Sequence, residues 1–206
     1  MPKVLALVAF AYLLGSVPCG WVVMKVYRNL DVRKFGSGNI GAANVFRAGG
    51  PGAFAATVAL DALKGFIPVV LGIAVGVQNE IALAAIGLAA VIGHTWPLYL
   101  RFRGGKGVAT SGGVLLALAP VALVIAVLCW FLTVRLTHLA SLSSLVAVGV
   151  GFSSLVALHL AGWQLWRPVG WSVVILGVAL TGLILYRHRS NIERLASGRE
   201  LKITAS

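Results

Sequence analysis

Six long apolar runs, at residues 4–26, 53–75, 81–100, 108–134, 139–160 and 170–186, dominate this chain of 206 residues. Most reach the ~20 residues that an α-helix needs to cross a hydrocarbon core of ~30 Å. Hydrophobic residues make up 59% of the chain and charged residues 11%, too few polar groups to cover a soluble globule. Backbone polar groups in lipid must be satisfied within their own segment, so the runs read as helices. The expected class is an all-α polytopic integral membrane protein. No long-period repeat or linker divides the chain, which reads as a single domain over residues 1–206.

The charges set a topology. Seventeen bases stand against five acids, a net charge of +12. Such an excess suits nucleic acid, but a polytopic protein gathers Lys and Arg in cytoplasmic loops, so nucleic acid is discounted as a partner. The polar stretch 25–52 holds Lys25, Arg28, Arg33, Lys34 and Arg47 and is expected to be cytoplasmic. Gln78-Asn79-Glu80 has no base and belongs outside. The basic tail, with Arg187, Arg189, Arg194, Arg199 and Lys202, belongs inside, which six crossings cannot satisfy if the first loop is cytoplasmic. Run 108–134 is the longest and carries Pro120, where a helix ends or kinks. Split there, it returns the chain to Arg135 and His138 on the cytoplasmic side. Seven transmembrane helices result, with the N-terminus outside and the C-terminus cytoplasmic. Every base except Lys3, Arg167 and Lys64 is then cytoplasmic. Ser16-Val17-Pro18 predicts a kink in the first span, and Trp163, Trp166 and Trp171 an outer interfacial belt.

Three polar segments fall on one face. GSGNIGAAN, residues 36–44, places Gly36, Gly38 and Gly41 where backbone N–H groups can nest an anion, with Ser37, Asn39 and Asn44 adding side-chain hydrogen bonds and Arg47 a charge. It spells G-x-G-x-x-G, but no βαβ unit surrounds it, so a dinucleotide is not expected. GHTWPLYLRFRGGKGVAT, residues 93–110, adds Gly104, Gly105, Lys106 and Gly107 ahead of a helix N-terminus, the ingredients of a phosphate site. Arg101 and Arg103 serve either that site or a helix anchor. GGKG lacks P-loop spacing, so ATP or GTP is not expected. YRHRSNIERLASGRE, residues 186–200, brings His188 and Asn191 to one helical face. Arg194, Arg199 and Lys202 fit surface anchoring better. Asp61 and Lys64, at i and i+3 inside a span, read as a structural ion pair supporting the loop site. Ser141 opens another span at the same boundary, either binding substrate or capping the helix. Neither Cys19 nor Cys129 has metal or disulfide spacing, and no His/Asp/Glu cluster implies a metal.

In this order, the three segments resemble the signature motifs of the bacterial PlsY family, acyl-phosphate-dependent glycerol-3-phosphate 1-acyltransferases. DALKGF, residues 61–66, and the serine at 141 fit as well. The resemblance covers nearly the whole chain and implies seven spans, in agreement with the charge count. It implies transfer of a fatty acyl group from acyl phosphate to the 1-hydroxyl of glycerol 3-phosphate, giving lysophosphatidic acid and inorganic phosphate, at the bacterial cytoplasmic (inner) membrane. It also implies that Arg47, Lys106, Ser141, His188 and Asn191 hold glycerol 3-phosphate, while the GSGNIG loop with Ser37 takes the acyl-phosphate headgroup. Ala43 stands where the family usually has Thr, which would leave the backbone and Asn44 to compensate.

Acyl phosphate is already activated, so no protein nucleophile or cofactor is required. A histidine with an aspartate five residues on is absent, since Tyr99 follows His94 at that spacing. Direct attack by the substrate hydroxyl is expected, its proton going to a substrate phosphate oxygen or to His188. A transporter of a phosphorylated solute is the competing class. It calls for polar groups near mid-membrane, whereas these gather at one side.

Overall fold

A computed structural model of the protein describes residues 1–163 and 168–203. Every regular element among the described residues is helical. Helices α1 (Pro2–Gly15) and α2 (Cys19–Arg28) are one interrupted span: Pro18 cannot donate the next helical hydrogen bond, and the path breaks at Ser16–Pro18 as expected. Helix α3 (Ala42–Ala74) bends at Gly50, whose φ of 77° and ψ of −170° lie outside helical values. Helix α4 (Glu80–Thr95) begins at Asn79, whose side chain accepts from the Ala82 N–H at 3.1 Å.

The split expected at Pro120 is present. Helix α5 (Val108–Leu118) stops at Ala119, and Pro120 opens α6 (Pro120–Thr137), where its missing N–H costs nothing. Helix α7 (Ala140–Leu160) follows, then α8 (Trp171–Arg187) and, after a 59° bend, α9 (Arg189–Ala196).

Among the described residues, five helical segments are long and apolar enough to cross a membrane, and the bent α8–α9 pair makes a sixth. Helix α5, with 11 residues, reaches only about 16 Å.

Two boundaries differ from expectation. Residues 42–49, taken as loop, form the first turns of α3, because Gly49-Gly50-Pro51-Gly52 bends the helix without ending it. The third run stops being α-helical at Thr95, where Trp96 precedes Pro97 and is pushed out of the α region. Of the expected tryptophan belt, Trp163 and Trp171 are exposed. Trp166 and Arg167 lie outside the described residues.

Lipid tails are as apolar as leucine, so helix association rests on close packing rather than on a hydrophobic force. Small residues provide it. A Cβ on Gly93 would lie 2.2 Å from the Tyr12 carbonyl oxygen, and one on Gly113 1.8 Å from that of Ala62, so glycine sets the contacts of α1 with α4 and of α3 with α5. The main core, around Leu83, Ile86, Val91, Val114, Leu155 and Leu180, joins α4, α5, α7 and α8. A smaller one, Met24, Val32, Ile40, Val45 and Ala53, lies under the loop that joins α2 to α3. The exposed face of α6 (Leu128, Phe131, Leu132, Leu136) is apolar and suits lipid.

Candidate active site

One end of the helical assembly carries all three polar segments, and a cavity of about 390 Å³ runs from them into the apolar interior. Its mouth is lined by Ser37, Asn39, Gly41, Asn44, Arg47, Lys106, Gly107, Ser141, His188 and Asn191. Its depth is walled by Leu115, Leu116, Leu123, Phe152, Leu155 and Leu180.

The loop over residues 29–41 is built around Asn44, which α3 carries into its centre. The Asn44 amide nitrogen donates to the carbonyls of Val32 (3.0 Å), Phe35 (3.0 Å) and Asn39 (2.9 Å), and its oxygen accepts from the Ser37 N–H (3.0 Å). Its amide N–H groups are engaged by the loop carbonyls and its oxygen by the Ser37 N–H. Asn44 therefore shapes the loop from within, and it lines the cavity beside Ala43, which stands where a threonine is usual in the motif. Gly36 (φ 48°) and Gly38 (φ 69°) make the left-handed turns of the loop and stand outside the cavity wall, the Gly38 N–H donating to the Phe35 carbonyl at 2.8 Å. The Gly41 N–H is engaged by the Asn39 side chain at 2.8 Å.

The GGKG stretch divides. Gly104 and Gly105 donate their N–H groups to the carbonyls of Thr95 (3.2 Å) and His94 (3.1 Å), and their own carbonyls accept from Arg187 at 3.0 and 3.2 Å. Neither lines the cavity. The nest expected of these two glycines is thus replaced by tight packing, since a Cβ on Gly105 would sit 2.1 Å from His94 Nε2. Gly105→Ala is expected to cost about 1–3 kcal/mol of stability as an overpacked site, read as a lowered unfolding midpoint in detergent. Gly107 (φ 84°) does line the cavity, directly before α5, so the positive end of that helix opens beside Lys106. Arg101 and Arg103 are exposed and stand apart from the cavity.

The Lys106 ammonium donates to Asn191 Oδ1 at 2.5 Å. Burial, together with the positive charges of Arg194, Arg47 and Arg187, lowers its pKa to about 8, opposed by the carboxylate of Glu200. That glutamate escaped the sequence reading, although it is one of only five acids in the chain. Its carboxylate is buried in the cavity wall, accepts from Asn191 Nδ2 at 2.7 Å and is paired with Arg194 Nε at 2.9 Å. Arg194, expected only to anchor, is part of this network. Arg47 donates to the carbonyls of Leu201 and Lys202, both at 3.0 Å, and the Ile203 N–H donates to His138 O at 2.7 Å, so the segment after α9 is strapped beside the mouth.

Two serine hydroxyls differ from the rest. Ser143 and Ser144 bond back to the carbonyl four residues earlier. Ser141 Oγ and Ser111 Oγ, both buried and both in the cavity wall, have no hydrogen-bond partner among the described residues. A buried hydroxyl without a partner is costly unless a ligand satisfies it. Ser111 carried no sequence signal beyond its place in the first turns of α5.

Beneath the mouth, Lys64 Nζ lies 2.8 Å from Asp61 Oδ1 and donates to the Val17 carbonyl at 2.9 Å, with His94 Nδ1 3.5 Å from the same carboxylate oxygen. The pair clamps α3 to the α1–α2 break and to α4.

A cationic mouth over an apolar trough, embedded in membrane helices, defines a site for an amphiphilic anion. The family model described as glycerol-3-phosphate acyltransferase matches residues 5–198. A glycerol-3-phosphate acyltransferase of Desulforudis audaxviator is 42% identical over 201 residues, covering 98% of this chain and 96% of that protein. One of Rubrobacter xylanophilus is 47% identical over 197 residues, with 95% and 93% covered. Crystal structures of PlsY, an integral membrane glycerol 3-phosphate acyltransferase, superpose with TM-scores of 0.86 for the glycerol 3-phosphate form and 0.85 for the lysophosphatidic acid form. Their identities are 39% and 40%, and each comparison covers 97% of this chain and 95% of the other. The chain belongs to the glycerol-3-phosphate acyltransferase family, in keeping with the resemblance of its motifs.

Proposed function

We propose that this protein transfers a fatty acyl group from acyl phosphate to the 1-hydroxyl of glycerol 3-phosphate, giving lysophosphatidic acid and inorganic phosphate. The observation that carries the reading is a single cavity joining Arg47, Lys106, Ser141, His188 and Asn191 to an apolar trough. The cations and Ser141 receive glycerol 3-phosphate. Ser37, the loop it belongs to and the N-terminus of α5 receive the acyl-phosphate headgroup, and the trough takes the acyl chain. Two substrates rich in negative charge repel, so neutralising and aligning them supplies much of the rate.

The glycerol hydroxyl oxygen attacks the acyl carbon directly, the bond from that carbon to the phosphate oxygen breaks, and phosphate leaves with the electron pair. The hydroxyl proton passes to a substrate phosphate oxygen. His188 is the second candidate acceptor, since its Nδ1 donates to the Ile184 carbonyl at 2.9 Å and leaves Nε2 to accept, but burial and the neighbouring Lys106 push its pKa down to about 4 and make it the weaker base. The protein is one domain of seven spans in the bacterial inner membrane, with its N-terminus outside and its mouth and C-terminus cytoplasmic. The charge distribution and the helix pair α5–α6 support that topology.

Purified protein in detergent, given palmitoyl phosphate and labelled glycerol 3-phosphate, is expected to form labelled lysophosphatidic acid. A transporter forms none, and absence of product overturns the reading. The pH profile adds a check. The Lys106 ammonium is the form that binds phosphate, and its pKa in the free protein is lowered to about 8. The kcat/KM for glycerol 3-phosphate therefore falls as pH rises through about 8. Lys106→Arg shifts that fall to higher pH, because guanidinium stays protonated.

A further inference from the structure

The trough has a floor. Gly177 of α8 faces Leu155 and Phe152 of α7, and a Cβ built on it would lie 2.8 Å from Leu155 Cδ1 and 3.2 Å from Phe152 Cδ2. All three residues line the cavity. Leu155 is 1% exposed and continuous with the main core, which closes the wall behind it. Along α8, the wall from His188 at the mouth to Gly177 at the floor spans about 16 Å, and along α7 the wall from Ser141 to Leu155 spans about 21 Å, at 1.5 Å per residue. One leaflet of the hydrocarbon core is about 15 Å deep, half of ~30 Å. The trough is therefore at least as deep as the leaflet that a membrane acyl chain fills.

We propose that the contact of Gly177 with Leu155 and Phe152 is the acyl-chain ruler of this protein, setting a preference for long chains such as palmitoyl and stearoyl. The inference rests on the cavity being the acyl-transfer site described above. Glycine at 177 lets Leu155 lie back against α8 and leaves the bottom of the trough open. Any side chain there pushes Leu155 into the space that the end of the chain occupies. Truncating Leu155 instead deepens the floor. Each methylene that loses its place costs about fourfold in binding, so displacing two lowers use of a long chain by about fifteenfold.

The test compares decanoyl, lauroyl, palmitoyl, stearoyl and arachidoyl phosphate as donors to wild type, Gly177→Ala and Leu155→Ala. Gly177→Ala is expected to lower the ratio of stearoyl to decanoyl turnover about fifteenfold. Leu155→Ala is expected to raise the ratio of arachidoyl to palmitoyl turnover severalfold. Profiles parallel to wild type in the folded variants overturn the ruler, as does a uniform loss at every length. Should Gly177→Ala fail to fold, Leu155→Ala alone decides. Wild type that uses all donors equally also overturns the ruler while leaving acyl transfer standing, whereas wild type that makes no product from any donor removes the functional reading itself.

Discussion

Lys106→Ala is expected to lower kcat/KM for glycerol 3-phosphate by about a hundred- to a thousandfold, the loss typical of removing one preorganised donor from a developing charge, while the protein still inserts and purifies. Nζ lies 2.5 Å from Asn191 Oδ1, beside the opening N-terminus of α5 and within the field of Arg47 and Arg187. Glu200 is the acid that balances this cluster. A site arranged with such an excess of positive charge is stable with an anion in it and strained without one. Lysine at this position also contributes little to packing that alanine would destroy, because its hydrogen bond is made to a side chain that Glu200 holds independently. The measurement is steady-state kinetics with the melting profile as control. Wild-type kinetics in a folded Lys106→Ala protein would remove the phosphate role from this residue.

The second large effect is on stability. Lys64→Ala is expected to destabilise the protein by about 3–5 kcal/mol, because it strands the Asp61 carboxylate in a buried site. The side chains of Lys64 and Asp61 are 3% and 4% exposed. Lys64 also satisfies the Val17 carbonyl at the α1–α2 break, so the same substitution loosens that junction. In a domain of this size the loss corresponds to about 10 °C in melting temperature. The double replacement Asp61→Leu with Lys64→Met removes both charges and should cost less than Lys64→Ala alone. Equal or greater loss in the double variant would show that the pair does more than neutralise itself.

What was legible in the sequence was whatever depends on local chain chemistry. Pro18 and Pro120 cannot continue a helix, so both breaks could be placed, and the imbalance of bases demanded the second of them. The motif residues that line the mouth, from Ser37 to Asn191, were legible through their resemblance to a family pattern. What stayed hidden depends on distant partners. Gly104 and Gly105 look like any phosphate-loop glycines until their N–H groups are seen bonded to Thr95 and His94. Asn44 looks like a ligand alone, and only its bonds to Val32 and Ser37 reveal that it also builds its own loop. Glu200 sits in a basic tail that reads as a surface anchor, and only the return of the chain past Arg47 carries it into the cavity wall. The start of α3 was missed for the opposite reason, because a strong local breaker at Gly50-Pro51 bends the helix rather than ending it.

The most direct test of one shared cavity with direct acyl transfer is a structure with glycerol 3-phosphate and a non-hydrolysable acyl-phosphate analogue bound together. The account predicts the glycerol phosphate against Lys106 and Ser141, the acyl chain in the trough ending at Leu155, and the 1-hydroxyl oxygen about 3–3.5 Å from the acyl carbon. Substrates bound in separate hollows, or a protein side chain standing between the hydroxyl and the acyl carbon, would contradict it.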